Sequence, residues 1–124
     1  MKKIVSLLLL LLINTNFLFS SSIDELKGLG YHIDKDKKVF VLFVTEHCKF
    51  CKKEKNILLS KKVKKLLKER NYQLIFAKDV PSDISIQAYP TFYAWENEVN
   101  GSTLIGFNVG FLPKKEIIEL LNDI

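Results

Sequence analysis

The chain has few of the residues that bind metals and few of those that interrupt regular structure. It contains two cysteines, two histidines, five glycines and three prolines in 124 residues. A structural zinc site usually takes four Cys or His ligands, so such a site would need every candidate that this chain offers. The low glycine and proline content, together with 48% hydrophobic and 27% charged residues and no internal repeat, indicates one globular domain.

Long apolar runs are also absent, except at the N-terminus. There a short basic stretch, Met1–Lys3, precedes the apolar run Ile4–Ile13, and the small residues Ser20–Ser22 follow. This arrangement is typical of a secretory signal peptide. Extended through Phe19, the apolar part spans 16 positions, which is short for a transmembrane helix of about 20 apolar residues. A cleaved signal peptide is therefore expected, with a retained membrane anchor as the alternative.

Cleavage would leave a mildly basic domain. We predict a signal peptide over residues 1–22 and a single domain over residues 23–124. The signal peptide holds two lysines and no acidic residue, so the formal charge falls from +5 to 17 minus 14, or +3. A charge this small does not indicate a nucleic-acid partner. A lysine-rich signal of this kind predicts export to an oxidising bacterial periplasm.

The hydrophobic pattern of the domain predicts helices that alternate with strands. Val39–Val44 is apolar on both faces, which predicts a central strand that is covered on both sides. The other predicted elements are a helix capped by Ser22 and ending near Gly28 or Gly30, helices over 48–59 and 60–70, strands over 72–77, 91–95 and 102–109, a polar turn over 96–101, and a last helix opened by Pro113. This order predicts an α/β fold with a mixed sheet flanked by helices.

Both cysteines lie in one C-x-x-C stretch at the predicted start of a helix. Free N–H groups and the positive end of the helix dipole favour a thiolate at Cys48. His47, Lys49 and Lys52 add positive charge around it, which should lower the pKa of the thiol. Cys48 is therefore the predicted nucleophile, and Cys51, one turn further on, is placed to resolve a mixed disulfide.

Other interpretations of the cysteine pair fit less well. A metal site would have to recruit both His32 and His47. A covalent haem site would need a histidine directly after Cys51, where the chain has Lys52. An inert structural disulfide would close a very small loop and would stabilise the fold little. The redox pair is favoured, with the inert disulfide and metal binding as alternatives.

Three motifs in this order resemble the thioredoxin superfamily. FVLFVTEHCKFCKKEK places the C-x-x-C after an apolar strand, AYPTFYAW follows about 40 residues later, and IGFNVGFLPKKEIIELL joins the last strand to the last helix. The resemblance covers residues 23–124 and implies a thioredoxin-like fold in which Cys48 attacks and Cys51 resolves. It also implies that Pro90 is a cis-proline facing the disulfide and that the backbone of Tyr89 pairs with an extended substrate.

The sequence departs from cytosolic thioredoxins around the cysteines. Those proteins carry Trp before the first cysteine and Gly-Pro between the two. Here His47 and Lys49-Phe50 stand instead, which resembles periplasmic disulfide isomerases and related secreted proteins. Leu42 replaces the buried Asp that thioredoxins carry six residues before the first cysteine, so the usual internal proton acceptor is expected to be missing. Glu46 is nearby but is expected to be exposed.

The two helical segments that follow Cys48 are rich in lysine. On the first of them, Phe50, Ile57 and Leu58 are expected on the inner face. The lysines of the two segments are expected to form a solvated outer face, with attraction of acidic clients or of a membrane surface as the alternative. They are Lys49, Lys52, Lys53, Lys55, Lys61, Lys62, Lys64, Lys65 and Lys68.

The expected function is that of an exported thiol–disulfide oxidoreductase that reduces disulfides in client proteins. The segment 81–88 is too short for a full helix, no helical insertion of the oxidase type is present, and residues 23–38 are too few for the dimerisation domain of isomerases. The alternatives are a dithiol oxidase and a thioredoxin-like binding module or chaperone with an inert disulfide. We expect a monomer that needs no bound cofactor or metal and receives electrons from an unidentified thiol redox partner.

Overall fold

The computed structural model of the chain describes residues 22–98 and 101–124, so the predicted signal peptide lies outside it except for Ser22. Residues 22–28 are helical and form α1. No helix in the described ranges is long and apolar enough to cross a membrane. The remaining elements are β1 (Lys38–Phe43), α2 (Lys49–Leu58), α3 (Lys61–Glu69), β2 (Tyr72–Ala77), β3 (Thr91–Glu98), β4 (Gly101–Val109) and α4 (Lys114–Asp123).

The strands form one mixed sheet, which confirms the predicted α/β architecture. Their order is β2-β1-β3-β4. β1 pairs in parallel with β2 and antiparallel with β3, and β3 pairs antiparallel with β4. β1 is central, and its residues alternate between two hydrophobic clusters: Phe40 and Leu42 belong to one, and Val39, Val41 and Phe43 to the other. Both faces of β1 are therefore covered, as its continuous apolar run predicted.

Three helices cover the face of the sheet that carries Phe40. Leu58 of α2, Leu67 of α3 and Leu121 of α4 all lie in the same buried cluster as Phe40 and Phe92. Each of these leucines belongs to an apolar stripe at helical spacing, so the three helices turn their stripes to the sheet and their lysines to solvent. This face supports α2, the helix that carries the cysteines.

The opposite face is covered by less regular structure. Ile23 and Leu26 of α1 pack there against the β1 residues, together with Val80 and Ile84 from the segment 78–90. This segment contains no helix, in agreement with the prediction that it is too short for one. It connects β2 to the Tyr89–Pro90 loop, so the chain reaches that loop directly from the sheet.

α1 ends close to the predicted position. Gly30 has a φ of +101°, and the N–H groups of Gly30 and Tyr31 donate to the carbonyls of Lys27 and Leu26. This is how a glycine in the left-handed region closes a helix. The predicted cap at Ser22 is wrong, because Ser22 is already helical and its hydroxyl donates to Asp83 at 2.6 Å.

The predicted polar turn over 96–101 is wrong in extent. β3 continues to Glu98 and β4 begins at Gly101, with Asn97 opposite Ser102, while residues 99–100 lie outside the described part. Polar side chains do not end the strands here, because this end of the hairpin is partly exposed and Asn97 is held by neighbouring carbonyls. Its Nδ2 donates to the carbonyl oxygens of Asp34 and Lys37.

Candidate redox site

The two cysteines form a disulfide at the N-terminal end of α2, with their Cα atoms 5.2 Å apart. Cys48 is the N-cap: its backbone is extended, and its Sγ accepts a hydrogen bond from the Cys51 N–H at 3.1 Å. His47 has a φ of +57°, a left-handed conformation that turns the chain from β1 into the helix. The predicted helix start at Cys48 is therefore confirmed to within one residue.

The two sulfur-bearing side chains differ in exposure. Cys48 is partly exposed, whereas Cys51 is 3% exposed and belongs to the core cluster under the helices. A molecule in solution can therefore reach the first cysteine but not the second. The assignment of Cys48 as the attacking and Cys51 as the resolving cysteine stays a prediction.

An acidic side chain lies in the core one turn beyond Cys51. Glu54 is 1% exposed, and its Oε1 accepts a hydrogen bond from the backbone N–H of Leu112 at 2.8 Å. Its Oε2 is buried and has no hydrogen-bond partner among the described residues. Glu54 follows Cys51 by three residues, so the two side chains lie on the same face of α2. A buried carboxyl group with a free oxygen is thus one helical turn from Cys51.

The environment of Glu54 favours its neutral form. Burial raises the pKa of Glu54 from its ordinary value of 4.5 to about 7, and the hydrogen bond from Leu112 opposes that rise by stabilising the carboxylate. A carboxyl group with a pKa near 7 exchanges protons readily at neutral pH.

The role of Glu54 was not evident from the sequence alone. Leu42 is buried, as predicted, so no acid enters the core from that position of β1. A buried acid comes from α2 instead of the strand. The spacing of Cys51, Glu54 and Leu58 is three and then four residues, which places them on one helix face. The spacing is visible in the sequence, but the many charged residues of this helix made Glu54 look like one more residue of the solvent-exposed face.

The residues predicted to tune Cys48 lie on its solvent side. His47 and Lys49 are both exposed and flank Cys48 in the chain. Within residues 22–98 and 101–124, neither forms an ion pair. Their predicted effect on the thiol remains a prediction.

The Tyr89–Pro90 loop approaches the same part of the core. The bond between the two residues is cis. Pro90 is buried and its carbonyl accepts from the Gly110 N–H at 2.8 Å. Tyr89 is partly buried and packs, like Cys48, against the cluster that contains Cys51. In the described part of the chain, no hydrogen bond uses the N–H or C=O of Tyr89.

The expected burial of Phe50 is wrong. Phe50 is 51% exposed, because it lies one position away from the buried stripe of α2. Its ring lies 5.6 Å from that of Phe111, which follows β4, and Lys53 Nζ lies 5.8 Å from the Phe111 ring. An aromatic surface therefore borders the disulfide. The other lysines of α2 and α3 are also on the outside, apart from partly buried Lys55.

Comparisons with known proteins agree on the fold. No protein-family model matches the chain, and no curated protein sequence does. A thioredoxin from Thermus thermophilus has a TM-score of 0.56 at 20% identity, over 83% of this chain and 80% of that one. Chloroplastic thioredoxin z has a TM-score of 0.51 at 22% identity, over 71% and 78% of the two chains. Deadhead, a germline-specific thioredoxin from Drosophila melanogaster, has a TM-score of 0.51 at 14% identity, over 72% and 82%. The described part of the chain thus has the thioredoxin fold, with a C-x-x-C disulfide at the start of α2.

Proposed function

We propose that this protein is a thiol–disulfide oxidoreductase that reduces disulfides in client proteins. The observation that carries the proposal is the contrast between partly exposed Cys48 and buried Cys51 at the start of α2. The hydrogen bond from the Cys51 N–H to Cys48 Sγ supports it, because the same N–H can stabilise a Cys48 thiolate once the disulfide opens.

The first step is attack on the client. The Cys48 thiolate attacks one sulfur of a client disulfide; a new S–S bond forms between them, and the client's own S–S bond breaks. The second client sulfur leaves as a thiolate and takes up a proton from solvent. The intermediate is a mixed disulfide between Cys48 and the client.

The second step releases the client. Cys51 loses its proton to the Glu54 carboxylate, and the resulting thiolate attacks Cys48 Sγ. The Cys48–Cys51 disulfide forms, and the first client sulfur leaves as a thiolate that is then protonated. Two electrons have passed from the cysteine pair to the client. The free Oε2 of Glu54 is the oxygen proposed to accept the proton.

Client binding is proposed to involve the Tyr89 backbone. An extended client strand can hydrogen-bond to its N–H and C=O, which no described residue uses. Such pairing holds the client beside Cys48 without selecting one sequence. Clients are therefore expected to share an accessible disulfide in an extended segment.

Export to the periplasm is part of the proposal and rests on residues 1–22, most of which lie outside the described part. In that compartment the cysteine pair would need re-reduction after each turnover, so a thiol redox partner is proposed as the electron source. We propose that the protein acts as a monomer.

A dithiol oxidase is the second candidate, and one observation favours it. Exposed Lys49 and Lys52 lie in the first turn of α2, and the Cys51 N–H donates to Cys48 Sγ. All three would favour a thiolate at Cys48, and stabilising the reduced form makes a disulfide more oxidising. A reduction potential well above that of thioredoxin, about −270 mV, would favour the oxidase.

The test is the redox state in cells combined with turnover in vitro. Acid quenching followed by thiol alkylation should find the pair mainly reduced, and the purified protein should reduce insulin disulfides in the presence of a dithiol. A pair that is oxidised but exchangeable would favour the oxidase. A disulfide that resists exchange with a dithiol would reject both and leave a binding module.

A further inference from the structure

A pair of contacting aromatic rings, one of them exposed, adjoins the disulfide. Phe50 lies between the two cysteines in the chain, and half of its surface is exposed. Phe111 contacts it from the loop after β4, with the two rings tilted by 43°. The backbone N–H of the next residue, Leu112, is held by Glu54, so this loop is anchored to α2. The Phe50 ring therefore contacts Phe111 on one side, and its exposed part is accessible to a ligand.

Two lysines flank this pair. Lys49 and Lys53 are one helical turn apart on α2, next to Phe50, and Lys53 Nζ lies over the Phe111 ring. We call these four residues the aromatic–lysine patch: Lys49, Phe50, Lys53 and Phe111.

The charge of the patch is not neutralised within the protein. Among residues 22–98 and 101–124, the only ion pair is between Lys65 and Glu69 on α3. The one acid of α2, Glu54, is buried and faces away from the solvent. Glu46, in the loop before Cys48, is exposed but forms no ion pair with the patch lysines. The surface beside Cys48 therefore presents apolar area and positive charge together.

We propose that the aromatic–lysine patch selects client segments that carry an aromatic side chain and acidic residues beside the disulfide-bonded cysteine. The inference rests on the proposed oxidoreductase function and adds a substrate class to it. An aromatic side chain of the client packs on Phe50, and carboxylates lie near Lys49 and Lys53. Aromatic contact favours binding through ring packing, and opposite charge raises the rate of encounter.

Two peptide substrates of equal length test this preference. Each is joined through its single cysteine to a fluorescent thiol; one carries Glu and Phe beside the cysteine, and the other carries Lys and Ser in the same places. We expect kcat/KM for the acidic aromatic peptide to be roughly tenfold higher at low salt. The ratio should fall at 0.15 M salt, where the screening length is about 8 Å. A ratio near one at low salt would overturn the inference.

Two double variants with the same change in net charge distinguish the effect of the aromatic–lysine patch from the effect of the overall charge of the protein. The variant Lys49→Glu/Lys53→Glu should reduce the ratio of the two kcat/KM values, acidic aromatic peptide over Lys/Ser peptide, to one or below. The variant Lys61→Glu/Lys64→Glu on α3 makes the same change in net charge and should leave this ratio unchanged. The ratio is used because Lys49 is also predicted to affect Cys48, and an altered nucleophile changes both rates together. An equal loss in the α3 variant would overturn the inference.

The aromatic contribution has its own variant. Phe50→Ala should reduce the advantage of the acidic aromatic peptide about threefold, and a third peptide with Glu but without Phe should be unaffected. Equal effects on both acidic peptides would contradict a role for the ring.

Two further measurements identify the source of any failure. Reduction of the small neutral hydroxyethyl disulfide reports the proposed function alone: no turnover rejects the oxidoreductase, whereas turnover with no peptide preference rejects only the patch. Sedimentation with vesicles of anionic phospholipid tests the membrane alternative. If the α2 variant loses vesicle binding while the peptide ratio stays unchanged, the lysines serve a membrane surface and the client inference is wrong.

Discussion

Cys48 and Cys51 are three residues apart in the chain and lie in opposite environments. The first caps a helix at the surface, flanked by His47 and Lys49, and the second is in the core, one turn from Glu54. Because one turn of α2 crosses from solvent to core, two identical side chains can take different steps of one reaction.

The largest expected effect is the loss of either cysteine, which should give two different defects. Cys48→Ala should abolish insulin reduction and form no client adducts, since buried Cys51 cannot reach a client. Cys51→Ala should also lose turnover but should accumulate mixed disulfides. Non-reducing gels after expression in cells measure both. Similar adduct levels in the two variants would contradict the assignment of different roles to Cys48 and Cys51.

The next effect concerns proton transfer inside the core. Glu54→Gln keeps the size of the side chain and an acceptor for the Leu112 N–H but cannot take a proton. We expect decay of the mixed disulfide to slow about tenfold at pH 7, and the difference to shrink by pH 9, where Cys51 ionises more readily unaided. Rapid mixing with a fluorescent client disulfide across this pH range measures the decay.

The matching control is Glu116→Gln, which removes an exposed acid from the first turn of α4. Its decay profile should follow that of the unaltered protein, which rises with a midpoint near the Glu54 pKa of about 7. If Glu54→Gln keeps that same midpoint, Glu54 is not the proton acceptor.

A third prediction uses the stability of the oxidised protein. Because the pKa of Glu54 is raised to about 7 in the fold, the folded state binds more protons than the unfolded state between pH 4.5 and 7. The free energy of unfolding should therefore fall as pH rises, by about 2–3 kcal/mol between pH 5 and pH 8 at about 1.4 kcal/mol per pKa unit.

Urea unfolding at both pH values, in the unaltered protein and in Glu54→Gln, measures this contribution. The glutamine variant should lack this part of the pH dependence and should be the more stable of the two at pH 8. An identical fall in both proteins would show that another group causes it.

The smallest expected effect concerns the pKa of Cys48, on the solvent-exposed side of the site. In the Cys51→Ala background, the midpoint of Cys48 alkylation should lie below the unperturbed thiol value of about 8.5. Replacing Lys49 by Ala should raise the midpoint by about 0.2–0.7 units, since an exposed pair of opposite charges contributes about 0.2–1 kcal/mol. Lys61→Ala on α3 serves as the control, and a shift of the same size there would assign the effect to overall charge.

Local patterns allowed most of the fold to be predicted. The apolar run around Val41 predicted a central strand, because it is short, rich in β-branched and aromatic residues and apolar on both faces. The helix start at Cys48 followed from the end of that strand, and the stripe of Ile117 and Leu121 fixed the inner face of α4. These features depend on residues that are close in sequence.

The site was harder to predict where it depends on distant residues. Phe50 was assigned to the wrong face and Glu54 was not singled out at all, although both lie on a helix that was correctly predicted. The pattern KFCKKEK allows more than one rotation of α2 about its axis, because its apolar residues do not form a clean stripe. The prediction of a polar turn after β3 was wrong for a related reason, because pairing with β4 extends β3 through polar residues.

The sequence by itself therefore determined the order of elements, the strand–helix junction at the cysteines and the charge of the outer helix faces, because each follows from neighbours within a few residues. Only the tertiary structure decided which side of α2 enters the core. That choice is stabilised by the hydrogen bond between Glu54 and Leu112, which are 58 residues apart in the chain. It buries Glu54 one helical turn from Cys51 and leaves Phe50 on the surface, because a helix that packs on a sheet with one face leaves the opposite face in solvent.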